Sequence, residues 1–109
     1  MSEVVVVVTL RAQEGREEDM RETLTEGSAQ THTEDGCLVY AMHQGADDPR
    51  AFAIVECWAS QGHLDAHLAL DEVKALIGRI DGLADGQPAF AIYEQIPAGD
   101  PAKGMLAQA

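Results

Sequence analysis

Residues 37–58 read CLVYAMHQ GADDPR AFAIVECW, and the fold follows from this stretch. Two runs, Cys37–Gln44 and Ala51–Trp58, are rich in β-branched, aromatic and small apolar residues, and they flank a segment of Gly, Asp and Pro. Strand-forming runs around such turn chemistry predict a β-hairpin. With the turn centred near Asp47, side-chain alternation sorts the hairpin into two faces. One face carries Leu38, Tyr40, Met42, Phe52, Ile54, Glu56 and Trp58. The other carries Cys37, Val39, Ala41, His43, Ala51, Ala53, Val55 and Cys57, all small except the histidine. In that register Cys37 and Cys57 lie opposite or nearly opposite each other. Two cysteines are too few for a disulfide framework and lack CxxC spacing, so both are expected as reduced thiols.

The chain extends outward from the hairpin in both directions. Upstream, Val4–Leu10 is a continuous β-branched run, as in a strand covered on both faces. Gln13–Thr33 follows with Met20, Leu24, Gly27, Ser28 and Thr31 near helical spacing, and Asp35-Gly36 ends that helix. Its small inner face packs close to a sheet or leaves room for a ligand. Downstream, Ser60 can cap a short helix over Gln61–Leu70 by accepting backbone N–H bonds. Asp71 can cap another, on which Val73, Leu76, Ile77 and Ile80 form an apolar stripe. Gly82–Pro88 reads as a loop and Ala89–Ile96 as the last strand.

The order is β-α-β-β-α-β with the second helix broken in two, which is the ferredoxin-like α+β arrangement around a four-stranded antiparallel sheet. Residues 1–97 form the expected domain, and residues 98–109, punctuated by Gly99, Pro101 and Gly104, a flexible C-terminal tail. The strands are apolar on both faces while both helical segments are needed for one of them. A second copy of the sheet is the simplest cover for the other, so a symmetric homodimer is expected.

Composition narrows the function. The 109 residues carry a net charge of −12, which works against nucleic-acid and anionic-membrane partners. No run of ~20 apolar residues is present to span a bilayer. Val4–Val8 is too short for a signal-peptide core and lacks a preceding positive charge, so a cytoplasmic location is expected. There is no Gly-rich phosphate loop, GxSxG or HExxH, and nothing points to a nucleotide, flavin or nicotinamide cofactor.

The face bearing Tyr40, Ile54, Glu56 and Trp58 joins apolar bulk to a hydroxyl, a carboxylate and an indole N–H. A buried carboxylate needs a donor close by. Such a face is either a satisfied structural network or the wall of an apolar pocket with a few convergent polar groups. His63 and His67 stand four apart on one side of the short helix. His67 shares a stripe with Leu64 and Leu68 and should point inward, with His63 at the edge. The pair has metal-like spacing, but no third ligand is evident and no metal is expected. An inward histidine is either a hydrogen-bonded core residue or a general base, since imidazole titrates near neutral pH. His32 and His43 read as surface or interface residues.

Glu56-Cys57-Trp58-Ala59-Ser60, followed by His63-Leu64-Asp65-Ala66-His67-Leu68, resembles the antibiotic biosynthesis monooxygenase domain family. Members show a strand ending Glu-x-Trp, a helix-capping Ser and a helix with an Ala-His-Leu step. Gly36-Cys37-Leu38 and the closing Tyr93-Glu94 also agree, and the resemblance covers roughly residues 3–97. It implies a dimeric α+β barrel with one pocket per subunit, between sheet and helices. It also implies cofactor-independent oxidation of a small quinol or aromatic polyketide-like substrate by O2. On that model His67 is the base or proton relay, Trp58 and Tyr40 shape an aromatic site, Glu56 orients a polar group, and Ile54 and His63 complete the substrate contacts. The chain departs from the family in having no asparagine, a residue that polyketide-oxidising and haem-degrading relatives use in the pocket. The haem degraders also need a histidine near Leu76 or Ile77, so haem cleavage is not expected here. The alternative is a non-catalytic dimer of the same fold that binds a small ligand or serves in a stress response.

Overall fold

The computed structural model describes residues 2–109. Its elements are β1 (Val4–Arg11), α1 (Glu17–Thr31), β2 (Cys37–Gln44), β3 (Ala51–Trp58), α2 (Gln61–Ala69), α3 (Asp71–Leu83) and β4 (Ala89–Glu94). The strands form one antiparallel sheet in the order β2-β3-β1-β4, the ferredoxin-like arrangement. β1 is central, with β3 and β4 on its two sides. Its valine run therefore has backbone partners along both edges and side chains on both faces.

Val4, Val6 and Leu10 point toward the helices, where they join Met20, Leu24, Phe52, Ile54, Trp58, Leu64, Leu76 and Ile80 in the core. Trp58 and Met20 are fully buried there. Burying a large apolar side chain contributes roughly 1.5–3 kcal/mol, so these residues hold the helical layer to the sheet. α1 begins later than the periodicity suggests, at Glu17. Glu17, Glu18 and Asp19 occupy its first turn, where negative charge complements the exposed N–H groups. Its small inner face packs closely: at Gly27 the neighbour is a helix, and a Cβ placed there would lie 2.6 Å from Leu76 Cδ2 of α3.

Ser60 caps α2 as expected, its Oγ accepting from His63 N at 3.3 Å. Asp71 does not cap α3. The extended backbone of Leu70 does so without a side-chain hydrogen bond, and Asp71 supplies charge to the first turn instead. Gly36 is required by the turn before β2. It has φ of +80°, and a Cβ there would sit 2.3 Å from the His63 ring.

The hairpin register differs from expectation. Tyr40 faces Glu56, Met42 faces Ile54 and Gln44 faces Phe52, so the turn centres on Asp48, one residue later than expected. Asp48 itself orders the turn, its Oδ1 accepting from Arg50 N while Oδ2 pairs with Arg11. Moving the centre by one residue changes partners by two positions and leaves each residue on its assigned face. A bulge between Cys37 and Val39 does change faces. Cys37 lies opposite Trp58 and packs against the core, Val39 faces Cys57, and Leu38 is the extra residue. The two cysteines are thus free but do not face each other.

On the face away from the helices, Val7, Val39, Ala41, Ala53, Val55 and Ala91 remain partly exposed. Residues 98–109 turn back onto one end of this sheet. Gln95 Nε2 donates to Ala107 O and Glu3 Oε1, and Leu106 N donates to Gln95 Oε1. Among the described residues no helix is long and apolar enough to cross a membrane.

Candidate active site

Alternation along β3 places Ile54, Glu56 and Trp58 on the helix-facing side, and the hairpin register sets Tyr40 directly opposite Glu56. Directly opposed residues bring their Cβ atoms to about 5 Å. Glu56 is only 4% exposed. Its donor is on its own strand: Trp58 Nε1 donates to Glu56 Oε1 at 2.9 Å. Burial pushes the Glu56 carboxyl up to about 7, the indole N–H opposing and the Glu34 charge reinforcing the rise. Tyr40 is likewise raised, first by burial and then by Glu56 across the ladder, so it stays a neutral donor at physiological pH. Cys37, pushed up to about 11 by burial and by Glu34, is no nucleophile.

α2 brings in His67, which is 4% exposed. Its ring lies 4.5 Å from the Trp58 ring and 5.9 Å from that of Tyr40. Its Nδ1 is held at 2.7 Å by Glu34 Oε1, an acceptor that the sequence pattern did not reveal. Glu34 is carried inward by the turn after α1, in which Glu34 N donates to Thr31 O and Cys37 N to Glu34 O. Glu34 Oε2 is buried without a hydrogen-bond partner. In a neutral His67, an acceptor oxygen on Nδ1 favours the tautomer with the proton there and leaves Nε2 as the acceptor.

A cavity of about 220 Å³ opens between sheet and helices, with Tyr40, Glu56 and His67 in its wall. Val8, Leu10 and Ile54 line it from the sheet; Val73, Leu76, Ile77 and Ile80 line it from α3. Leu68 of α2, Asp81, Gln87, Pro88 and Phe90 complete it. Of the residues singled out in the sequence, Tyr40, Ile54, Glu56 and His67 meet at this cavity. Trp58 stands behind its wall, fully buried, stacked on His67 and bonded to Glu56. His63 lies elsewhere, with Nδ1 at 2.8 Å from Ser60 Oγ and Nε2 at 3.5 Å from Asp35 Oδ2. No group of three or more His, Cys, Asp or Glu side chains among the described residues could hold a metal ion.

An antiparallel sheet in ferredoxin-like order, with a mostly apolar cavity under its helices and five polar side chains in the wall, defines the class of protein. The chain belongs to the antibiotic biosynthesis monooxygenase family, whose model matches residues 3–79, from β1 into α3. It is similar to the crystal structure of a candidate antibiotic biosynthesis monooxygenase from Deinococcus radiodurans, with 30% identity, a TM-score of 0.82 and coverage of 89% of this chain and 96% of that one. A conserved protein of Bacteroides thetaiotaomicron, described as a possible oxidoreductase, aligns with 26% identity, a TM-score of 0.80 and coverage of 85% and 97%. A candidate family member from Caulobacter crescentus, 23% identical with a TM-score of 0.81 over 88% and 92% of the two chains, shows the same fold. No curated protein matches the chain.

Proposed function

We propose that the cavity is a cofactor-independent oxidation site for a small quinol or aromatic polyketide-like molecule, with O2 as the oxidant and His67 as the base. The observation that carries this reading is His67 in the wall of a mostly apolar pocket, with Glu34 bonded to it from behind. A carboxylate on Nδ1 leaves Nε2 as a proton acceptor and stabilises the imidazolium once the proton has moved. The proton taken is that of a ring hydroxyl, and the resulting oxyanion makes the ring electron-rich. One oxygen atom of O2 then enters the ring and the other leaves as water, the ring supplying the electrons. Tyr40 donates to a substrate oxygen, and Ile54 packs on the ring. Glu56 orients a second hydroxyl. Trp58 acts from behind the wall by fixing Glu56 and His67. His63 acts only through α2, whose first turn it secures together with Ser60.

Family membership supports this reading, as does the cavity's balance of apolar walls and few polar groups. A homodimer is part of the proposal, because the second face of the sheet is apolar and carries no helix. Oxygen consumption with a panel of quinols is the test. A second reading, ligand binding without turnover, is favoured by the absence of asparagine from the whole chain and predicts tight quinol binding with no oxygen uptake.

A further inference from the structure

The cavity wall contains carboxylates and no cation. Glu56 and Asp81 line it, and Glu34 stands directly behind His67. No lysine or arginine reaches it. Most of the basic side chains are engaged elsewhere: Arg11 with Asp48, Arg16 with Asp19, Arg50 with Asp85, and Arg79 with Glu26. Arg21 donates to Gln44. Two of the seven basic residues remain, Lys74 and Lys103, and neither lines the cavity.

We propose that this cavity selects its ligand by charge. It admits neutral or cationic aromatic alcohols of one or two rings and rejects their carboxylate- or phosphate-bearing counterparts, with Asp81 and Glu56 as the discriminating groups. The inference rests on reading the cavity as a ligand site and adds which ligands it takes. An anion entering it loses its hydration and finds no positive partner, while Asp81 and Glu56 repel it. A neutral hydroxyl finds acceptors in His67 Nε2 and the Glu56 carboxylate, and a cation finds the carboxylates themselves. Size sets the ring number. At about 220 Å³ the space somewhat exceeds the ~150 Å³ apolar cavity that holds one benzene ring.

Calorimetric titration of the full chain at pH 8 with 2-naphthol, 2-naphthoate and 2-naphthylmethylammonium tests this. These probes share a ring system and differ in charge. 2-Naphthol and the ammonium compound should bind at least about tenfold more tightly than 2-naphthoate, the penalty of like-charge juxtaposition. Asp81→Asn and Glu56→Gln should each narrow the preference for naphthol over naphthoate by several-fold. Naphthoate binding as tightly as naphthol, or a preference unchanged in both variants, overturns the charge rule while leaving the ligand site intact. Binding of none of the three removes the ligand site and the charge rule together.

Discussion

His67 Nδ1 stands 2.7 Å from Glu34 Oε1, joining α2 to the turn after α1 across 33 residues of sequence. Both side chains are almost wholly buried, at 4% and 10% exposure. The contact turns an inward histidine into an oriented one, and it separates two roles that a point substitution usually confounds.

Glu34→Ala leaves His67 Nδ1 buried without a partner and should destabilise the protein by about 1–3 kcal/mol. Glu34→Gln keeps an acceptor oxygen but loses the negative charge opposite the imidazolium. Its melting temperature should stay closer to that of the parent while quinol turnover falls by about tenfold or more. Thermal melts and turnover measured on the same preparations check both statements. Equal activity in the parent and Glu34→Gln would show that the carboxylate serves packing alone.

Glu56 makes stability depend on pH in an unusual direction for a carboxylate. Its pKa rises from the ordinary 4.5 to about 7 on folding, because of burial and then Glu34, against the pull of the Trp58 N–H. Between those values the unfolded chain has lost the proton that the folded chain keeps. The stability contributed by the protonated group is therefore present below about pH 4.5 and lost as pH rises toward 7, by an amount on the order of a few kcal/mol. Glu56→Gln keeps an acceptor for Trp58 and does not ionise. The variant should melt higher than the parent at pH 8 and close to it at pH 4.5, and a parallel pH profile in both proteins would contradict the assignment.

Gly36 is under two constraints, a left-handed backbone and the His63 ring against its α-carbon. Gly36→Ala should cost at least about 1–3 kcal/mol, the range for a strained conformation. Removing the ring in a His63→Ala background relieves the two 2.3 Å contacts but leaves the one to Cβ of residue 63, at 2.7 Å, and the backbone strain. The double mutant should therefore recover part of the loss, which denaturant melts of the four proteins would resolve. Full additivity would mean that the contact carries no energy.

The uncovered sheet face makes the oligomeric state a test of its own. Val7, Ala41, Ala53 and Val55 present small apolar side chains without a helix above them. Light scattering should give the dimer mass in dilute solution, and placing a lysine at Ala53 should shift it to the monomer. A stable monomer of the parent chain would remove the dimer from the account.

Much of the architecture was legible because it depends on local periodicity. Two-residue alternation put Tyr40, Ile54, Glu56 and Trp58 on one face, and that grouping survived a turn centre displaced from Asp47 to Asp48. Ser60 announced α2, and Leu64 and Leu68 announced which way His67 would face. What escaped was non-local. Glu34 lies in a Thr-Glu-Asp-Gly segment that reads as an exposed acidic turn, and only the packing of that turn against α2 buries it. Cys37 moved to the core face because a bulge leaves no mark in hydropathy. Asp81 and Gln87 reached the cavity from the end of α3 and the loop beyond it, where no periodic signal identifies a pocket wall.

The proposed role of His67 is that of the base in an oxidation that consumes O2. Oxygen uptake with a reduced two-ring naphthoquinone, for the parent chain and for His67→Ala at matched folded concentration, tests it most directly. Uptake well above the rate in buffer is expected for the parent, with a loss of about 10²-fold or more in the variant. Uptake at the buffer rate in the parent, or undiminished specific activity in a folded His67→Ala, would contradict it.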